Sequence, residues 1–345
     1  MRAVLSRIRA PLAILTGVLM VGMLTSLMTG GVSFFYSSFL TGLTPQQSLV
    51  LWEIRLPRLL MSAIIGAGLA ISGVALQALF RNPLAEPGLI GVSSSAAFGA
   101  VFVIVLGGTI WQEVSVWQIS TAAFLTASLA TALLYAIATR HGHTDVALML
   151  LAGVAFNAIF GALTQLLIIY SDDSQLRSAL FWMMGSLANL SWFSVGMVSI
   201  LVLLASIGLW RLVKSMNAFL LGESVCLQMG YAPKWFKWQV MGFSALIVGV
   251  SVSVVGVIGF VGLVVPHIIR LWVGADHRLV LPLSALGGAV LLVLADLFAR
   301  QLIYPAELPI GLLMALLGGP FFLMLLLGKR NRRFKTISRV QGRGL

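Results

Sequence analysis

The chain alternates long apolar blocks with short polar interruptions, and the blocks have the length of a membrane crossing. A spanning helix needs about 20 predominantly apolar residues. Ten stretches meet or approach that length: residues 11–29, 57–79, 89–108, 117–138, 146–169, 192–211, 236–257, 258–273, 281–300 and 308–327. The pattern predicts an all-α polytopic membrane protein with about ten transmembrane helices. The break between the seventh and eighth is the least marked, because apolar sequence is almost continuous from Val240 to Trp272. Most connections are short, so residues 1–345 read as a single transmembrane domain with no soluble part large enough to fold alone. Three connections are longer. Those at 30–55 and 170–191 each have room for a short surface helix, and the one at about 213–235 reads as two short helices broken at Gly222 and Gly230.

Composition agrees with this pattern. Hydrophobic residues make up 59% of the chain and charged residues 9%, where a soluble domain carries about 25% charged residues. A net charge of +12 would suggest nucleic acid in a soluble protein; here its distribution gives orientation instead. With ten spans and both termini cytoplasmic, all of the 22 Lys and Arg fall inside except Arg55, Arg58, Arg177 and Arg300, as the positive-inside rule requires. The inner set includes the basic tail at 328–345. The first apolar block reads as an uncleaved helix, because it is long and no small-residue cleavage site precedes the polar stretch at 30–53. The single Cys226 falls in a predicted cytoplasmic loop and implies no disulfide.

Several motifs carry local meaning. Gly66, Gly68, Ala70 and Ser72 place small residues where helices can approach closely in lipid. Gly153, Asn157, Gly161, Thr164 and Gln165 form a polar and small stripe along one helix, which either bonds neighbouring helices or faces a cavity. Asp296 stands four residues before Arg300, a spacing that lets them pair. The turn Asn82-Pro83-Leu84-Ala85-Glu86-Pro87-Gly88 is stiff at both prolines and free at its glycine, with Glu86 suited to the next helix's N-terminus. His141, His143, His267 and His277 form no constellation and are read as structural. The sequence has no G-x-x-x-x-G-K-[ST] phosphate loop, no H-E-x-x-H and no G-x-S-x-G, so no enzyme site is expected.

The stretch from Arg55 to Ser95, with its Arg-x-Pro-Arg, its Gly- and Ala-rich helix and its NPLAEPG turn, resembles the FecCD/BtuC-like family of ABC-importer permeases. The resemblance extends from about Trp52 to Leu327 and implies a type II ABC importer permease fold with short cytoplasmic coupling helices. Several partners follow from it: a second copy in a homodimer, two cytosolic P-loop ATPase subunits, a periplasmic substrate-binding protein and membrane lipid, with no nucleic acid. It also implies an inner-membrane location, ATP used by the partner subunit, and no cofactor or metal on this chain.

Residue by residue, Arg55, Arg58 and Arg300 match family positions that receive acidic groups of the binding protein. Leu221, Gly222 and Glu223, with Gly230 seven residues after Glu223, are similar to the segment that inserts into the ATPase. Asn82, Leu84, His143 and Thr144 match the cytoplasmic gate, and Asn157, Gly161, Thr164 and Gln165 the pathway lining. The cargo implied is a bulky chelate: haem, a ferric siderophore or cobalamin. The segments EPGLIGVSSSAAFGA and WMMGSLANL are most similar to haem and siderophore permeases, and haem is favoured. The competing class is a secondary transporter driven by an ion gradient, which calls for ionisable residues at the bilayer midplane.

Overall fold

The computed structural model describes residues 2–30, 42–111, 114–140 and 143–341. Each of the ten predicted blocks coincides with a helix. Among the described residues, seven helices are long and apolar enough to cross a membrane, and three apolar helices are shorter, at 92–108, 261–273 and 310–324.

In chain order the elements are α1 (Arg2–Met28), α2 (Pro45–Leu49), α3 (Leu56–Leu79), α4 (Val92–Trp111), α5 (Val116–Ala138), α6 (Val146–Ile169), α7 (Asp173–Met184) and α8 (Trp192–Arg211). The remainder are α9 (Val213–Leu220), α10 (Glu223–Gln228), α11 (Pro233–Val255), α12 (Val261–Val273), α13 (His277–Gln301) and α14 (Ile310–Gln341). A two-residue antiparallel ladder, β1 (Thr139–Arg140) with β2 (His143–Thr144), joins α5 to α6.

Polar residues mark where helices begin. Ser115, Asp145, Asp172, Ser191 and Asp276 each accept a backbone N–H from the first turn of the helix that follows, satisfying donors that have no intrahelical partner. The connection expected at 30–55 is partly helical. A π-turn at Val50–Arg55 runs α2 into α3, making one continuous 35-residue helical stretch from Pro45 to Leu79; residues 31–41 lie outside the described set. The short helices anticipated at 170–191 and 213–235 are α7 and the pair α9 and α10.

At the centre stands α3, packed most extensively against α13 and also touching α8, α11 and α12. Glycine makes that packing possible. A Cβ on Gly66 would sit 2.2 Å from the Gly288 carbonyl oxygen, and one on Gly73 only 2.0 Å from that of Gly262, so these backbones are in contact. The apolar run from Val240 to Trp272 breaks at Gly256 (φ 74°), which ends α11, and resumes as α12 after Phe260 (φ 67°). By contrast α6 is peripheral: only Met149, Gly153 and Thr164 are buried, and Leu151, Val154, Ile159, Leu166 and Ile169 are all more than half exposed.

Candidate functional site

The α9–α10 segment carries a break that its sequence predicts. Gly222, at φ 121°, separates the two helices, and Gly230, at φ 84°, closes the second. Nothing lies within 4 Å of a Cβ placed on either glycine, so backbone conformation and not crowding calls for glycine there. The helices leave Leu221, Leu227 and Met229 at 66%, 63% and 55% exposure. That is an apolar surface with no cover among the described residues.

Glu223 points back into the chain. Its carboxylate accepts two 2.8 Å hydrogen bonds from Nζ of Lys237, the fifth residue of α11. The lysine side chain is 2% exposed, and its ammonium also donates to the Thr144 carbonyl oxygen at 2.9 Å. Fully buried Phe219, on α9, lies beneath this group. Its ring centroid is 5.9 Å from Lys237 Nζ, 4.8 Å from the Phe236 ring and 4.6 Å from Cζ of Arg81. Arg81 opens the turn that holds Asn82 and Leu84, with φ 47°. Predicted gate positions and predicted coupling positions therefore converge on Lys237 and Phe219, which the sequence did not single out. Nothing in the sequence distinguishes Lys237 from exposed Lys234 except the helical face each occupies.

In the turn itself, Asn82 Oδ1 accepts the Leu84 N–H at 3.0 Å. The expected place of Glu86 needs correcting: its carboxylate accepts the N–H of Phe260, the residue that caps α12, and does not serve the helix that follows it in sequence. A helix N-terminus favours a carboxylate wherever the chain delivers one. Burial pushes the Glu86 carboxyl up, against the opposing pull of that N–H. Thr144 is buried, with its hydroxyl 3.0 Å from that of Thr139. His143 lies on β2, paired with Arg140, and His141 falls outside the described residues.

The stripe on α6 divides. Gly153 packs on the Leu89 carbonyl, Asn157 Nδ2 donates to the Gly88 carbonyl at 3.1 Å, and Thr164, 2% exposed, donates to Phe160. Within one chain, then, Gly153 and Asn157 bolt α6 to the turn after α3, while Gly161 has nothing near it and Gln165 is exposed.

At the opposite end of the bundle the three arginines meet, and they are not the surface charges expected. Arg55 and Arg58 are 6% and 8% exposed. Arg58 Nε donates to Asp296 Oδ1 at 2.8 Å, and its Nη1 donates to both Glu307 oxygens at 3.0 and 2.8 Å. Arg300 Nε lies 3.3 Å from Asp296 Oδ2, as the spacing of four predicted, and its Nη2 donates to Ser26 Oγ at 2.6 Å. Arg55 donates to the Leu27 carbonyl. The physical reason is proximity: α1 and α13 end and α3 begins together here, and buried Asp296 supplies the charge that lets guanidinium groups sit inside.

His267 stacks edge-on with Phe321, and His277 Nδ1 lies 2.7 Å from Asn217 Oδ1. Among the described residues no group of three or more His, Cys, Asp or Glu is placed to hold a metal.

The chain and its fold both resemble known proteins. The FecCD transport family model matches residues 18–328. The chain belongs to that family. It is 45% identical to the hemin transport system permease protein HmuU of Yersinia pestis over 282 residues, 81% of this chain and 84% of that protein. It is 43% identical to the vitamin B12 import system permease protein BtuC of an Escherichia coli strain, over 84% of this chain and 86% of that one. It is 41% identical to the cobalamin import system permease protein BtuC of Halobacterium salinarum, over 86% and 77%. A solved metal-chelate type ABC transporter in an inward-facing conformation superposes with TM-score 0.82 at 35% identity, covering 91% of this chain and 97% of that one. This FecCD protein is thus an ABC-transporter permease built from membrane-spanning helices.

Proposed function

We propose that this permease is the transmembrane subunit of a binding-protein-dependent importer that brings a bulky iron chelate, haem, from the periplasm to the cytoplasm. Two copies form the translocating unit in the inner membrane, with both termini cytoplasmic and the pathway between them. Two cytosolic P-loop subunits hydrolyse the ATP; this chain, a single permease domain, binds no cofactor. The observation that carries the reading is the pair α9 and α10, whose apolar Leu221, Leu227 and Met229 stand exposed around the Gly222 break. A partner with an apolar groove would cover them, and they sit on the face to which the positive-inside rule assigns the cytoplasm.

On this reading Leu221, Gly222, Glu223 and Gly230 form the coupling element, and Asn82, Leu84, His143 and Thr144 the cytoplasmic gate. Asn157, Gly161, Thr164 and Gln165 line the route, with Gln165 and Gly161 the members open to it in one chain. Arg55, Arg58 and Arg300 receive acidic groups of the binding protein, Arg58 once Glu307 releases its Nη1. Haem is preferred over cobalamin and ferric siderophores because the hemin permease is among the most similar relatives.

The test is reconstitution of the chain with its ATPase and binding protein in liposomes, offering haem, a ferric siderophore and cobalamin in turn. ATP-dependent haem uptake with neither alternative carried is the expected result. Uptake driven by an ion gradient without ATP would replace the importer reading, and transport of another chelate would replace haem.

A further inference from the structure

We infer that Lys237 is the positioning residue that ties the coupling element to the inner gate, so that α10 and the β1–β2 hairpin move as one body during the transport cycle. The inference rests on the importer reading above and deepens it. A lysine ammonium has three donors and no acceptor, and its three bonds here go to other elements. Two reach the Glu223 carboxylate at the start of α10, and one reaches the Thr144 carbonyl of β2, at 2.8, 2.8 and 2.9 Å. Three elements, one of them 93 residues away in sequence, are therefore joined at one nitrogen.

The asymmetry of the pair matters. Lys237 is 2% exposed while Glu223 is 43% exposed, so the carboxylate reaches in from the surface segment to neutralise a buried cation. Removing either partner leaves an uncompensated charge or an unsatisfied carbonyl in the interior. A push on α10 is transmitted to the hairpin instead of being absorbed between them. Phe219 extends the tether. Its ring, packed on Phe236 one residue before the lysine, carries the Arg81 guanidinium 4.6 Å from its centroid, which links α9 to the turn holding Asn82 and Leu84.

A pair that serves folding alone would leave the stoichiometry of transport unchanged, and that difference is the test. In the reconstituted complex, cargo taken up per ATP hydrolysed is measured for the wild type, Lys237→Met and Lys237→Arg. Spin labels at Ala147 and Gln228, both exposed, report the separation of the hairpin end of α6 from α10 by pulsed EPR; buried Cys226 is replaced by Ala beforehand. In the wild type that separation is expected to stay constant between nucleotide-free and ATP-bound complexes. Lys237→Met is expected to make it nucleotide-dependent and to lower uptake per ATP about fivefold or more, with ATP hydrolysis retained. Lys237→Arg, which keeps charge and donors, is expected to recover most of the ratio.

Wild-type uptake per ATP in Lys237→Met overturns the inference. If that variant does not assemble, the wild-type distances still decide: a shift of several ångström on ATP binding overturns it, and a fixed distance together with recovery in Lys237→Arg upholds it. Failure of the wild-type chain to assemble with any ATPase would instead count against the importer reading itself.

Discussion

Asp296 is shared between two arginines, accepting Arg58 Nε at 2.8 Å on one oxygen and lying 3.3 Å from Arg300 Nε on the other. It is 1% exposed, so its charge is needed where it is. Breaking a buried pair by removing one partner costs about 3–5 kcal/mol, because the remaining charges are left unpaired. Asp296→Ala is therefore expected to lower the melting temperature of the detergent-solubilised protein sharply, measured by thermal unfolding followed in intrinsic Trp fluorescence. An unchanged melting temperature would show that the cluster is not structural.

Glu307 differs although it binds the same arginine. It is 45% exposed on its side chain, and ion pairs of that kind contribute about 0–1 kcal/mol. Glu307→Gln is expected to leave stability nearly unchanged while releasing Arg58 Nη1 for an incoming carboxylate. If the arginines receive an acidic partner, the binding protein should dock more tightly to this variant, as read by surface plasmon resonance on the nanodisc-embedded permease. Weaker docking would mean that Glu307 itself contacts the partner.

The glycine contacts give a steric prediction. A Cβ at Gly73 would lie 2.0 Å from the Gly262 oxygen and one at Gly66 2.2 Å from that of Gly288, all backbone atoms, whereas Gly17 has nothing within 4 Å. Overpacking of this sort costs about 1–3 kcal/mol and more where backbone must shift. Gly66→Ala and Gly73→Ala should lose monodisperse protein in fluorescence-detected size exclusion, and Gly17→Ala should not.

Acid should loosen the junction of α9 with α13. Burial of Asp276 opposes its charge, but the Arg278 N–H and the Asn217 side-chain amide, with Arg278 and His277 nearby, hold its carboxyl below the usual range. A depressed pKa contributes stability that is fully present above the unfolded value, about 3.9, and that is lost as pH falls through the folded one. Melting temperature should therefore drop below about pH 4, and by less in Asp276→Ala, which lacks the titrating carboxyl. That variant should also lose about 0.5–2 kcal/mol at neutral pH with the α13 cap. An identical acid profile in both proteins would remove Asp276 as the cause.

Much of the architecture is legible in the chain itself, and particular residues show why. Gly222 and Gly230 announce the broken helix pair because positive φ is open to glycine and costly to other residues. Asp296 and Arg300 announce their contact because helical geometry fixes neighbours four residues apart. Gly66, among the small residues of α3, announces close packing, though not with which helix; the equally close Gly73 contact appears only in the structure. Glu86 shows the opposite case: its sequence neighbours suggest one helix terminus, and its carboxylate serves another 174 residues away.

The sequence by itself determined the apolar helices, the sorting of charge along the chain and the place of the helix break at Gly222, because lipid and helix geometry impose these locally. The tertiary structure alone decided which charges are buried and with whom. Arg58 meets Asp296 across 238 residues and Lys237 meets Thr144 across 93. Such pairs leave no periodic trace: a lysine at the start of a helix reads the same facing water or sealed beneath a neighbour, until the packing of the bundle selects one face.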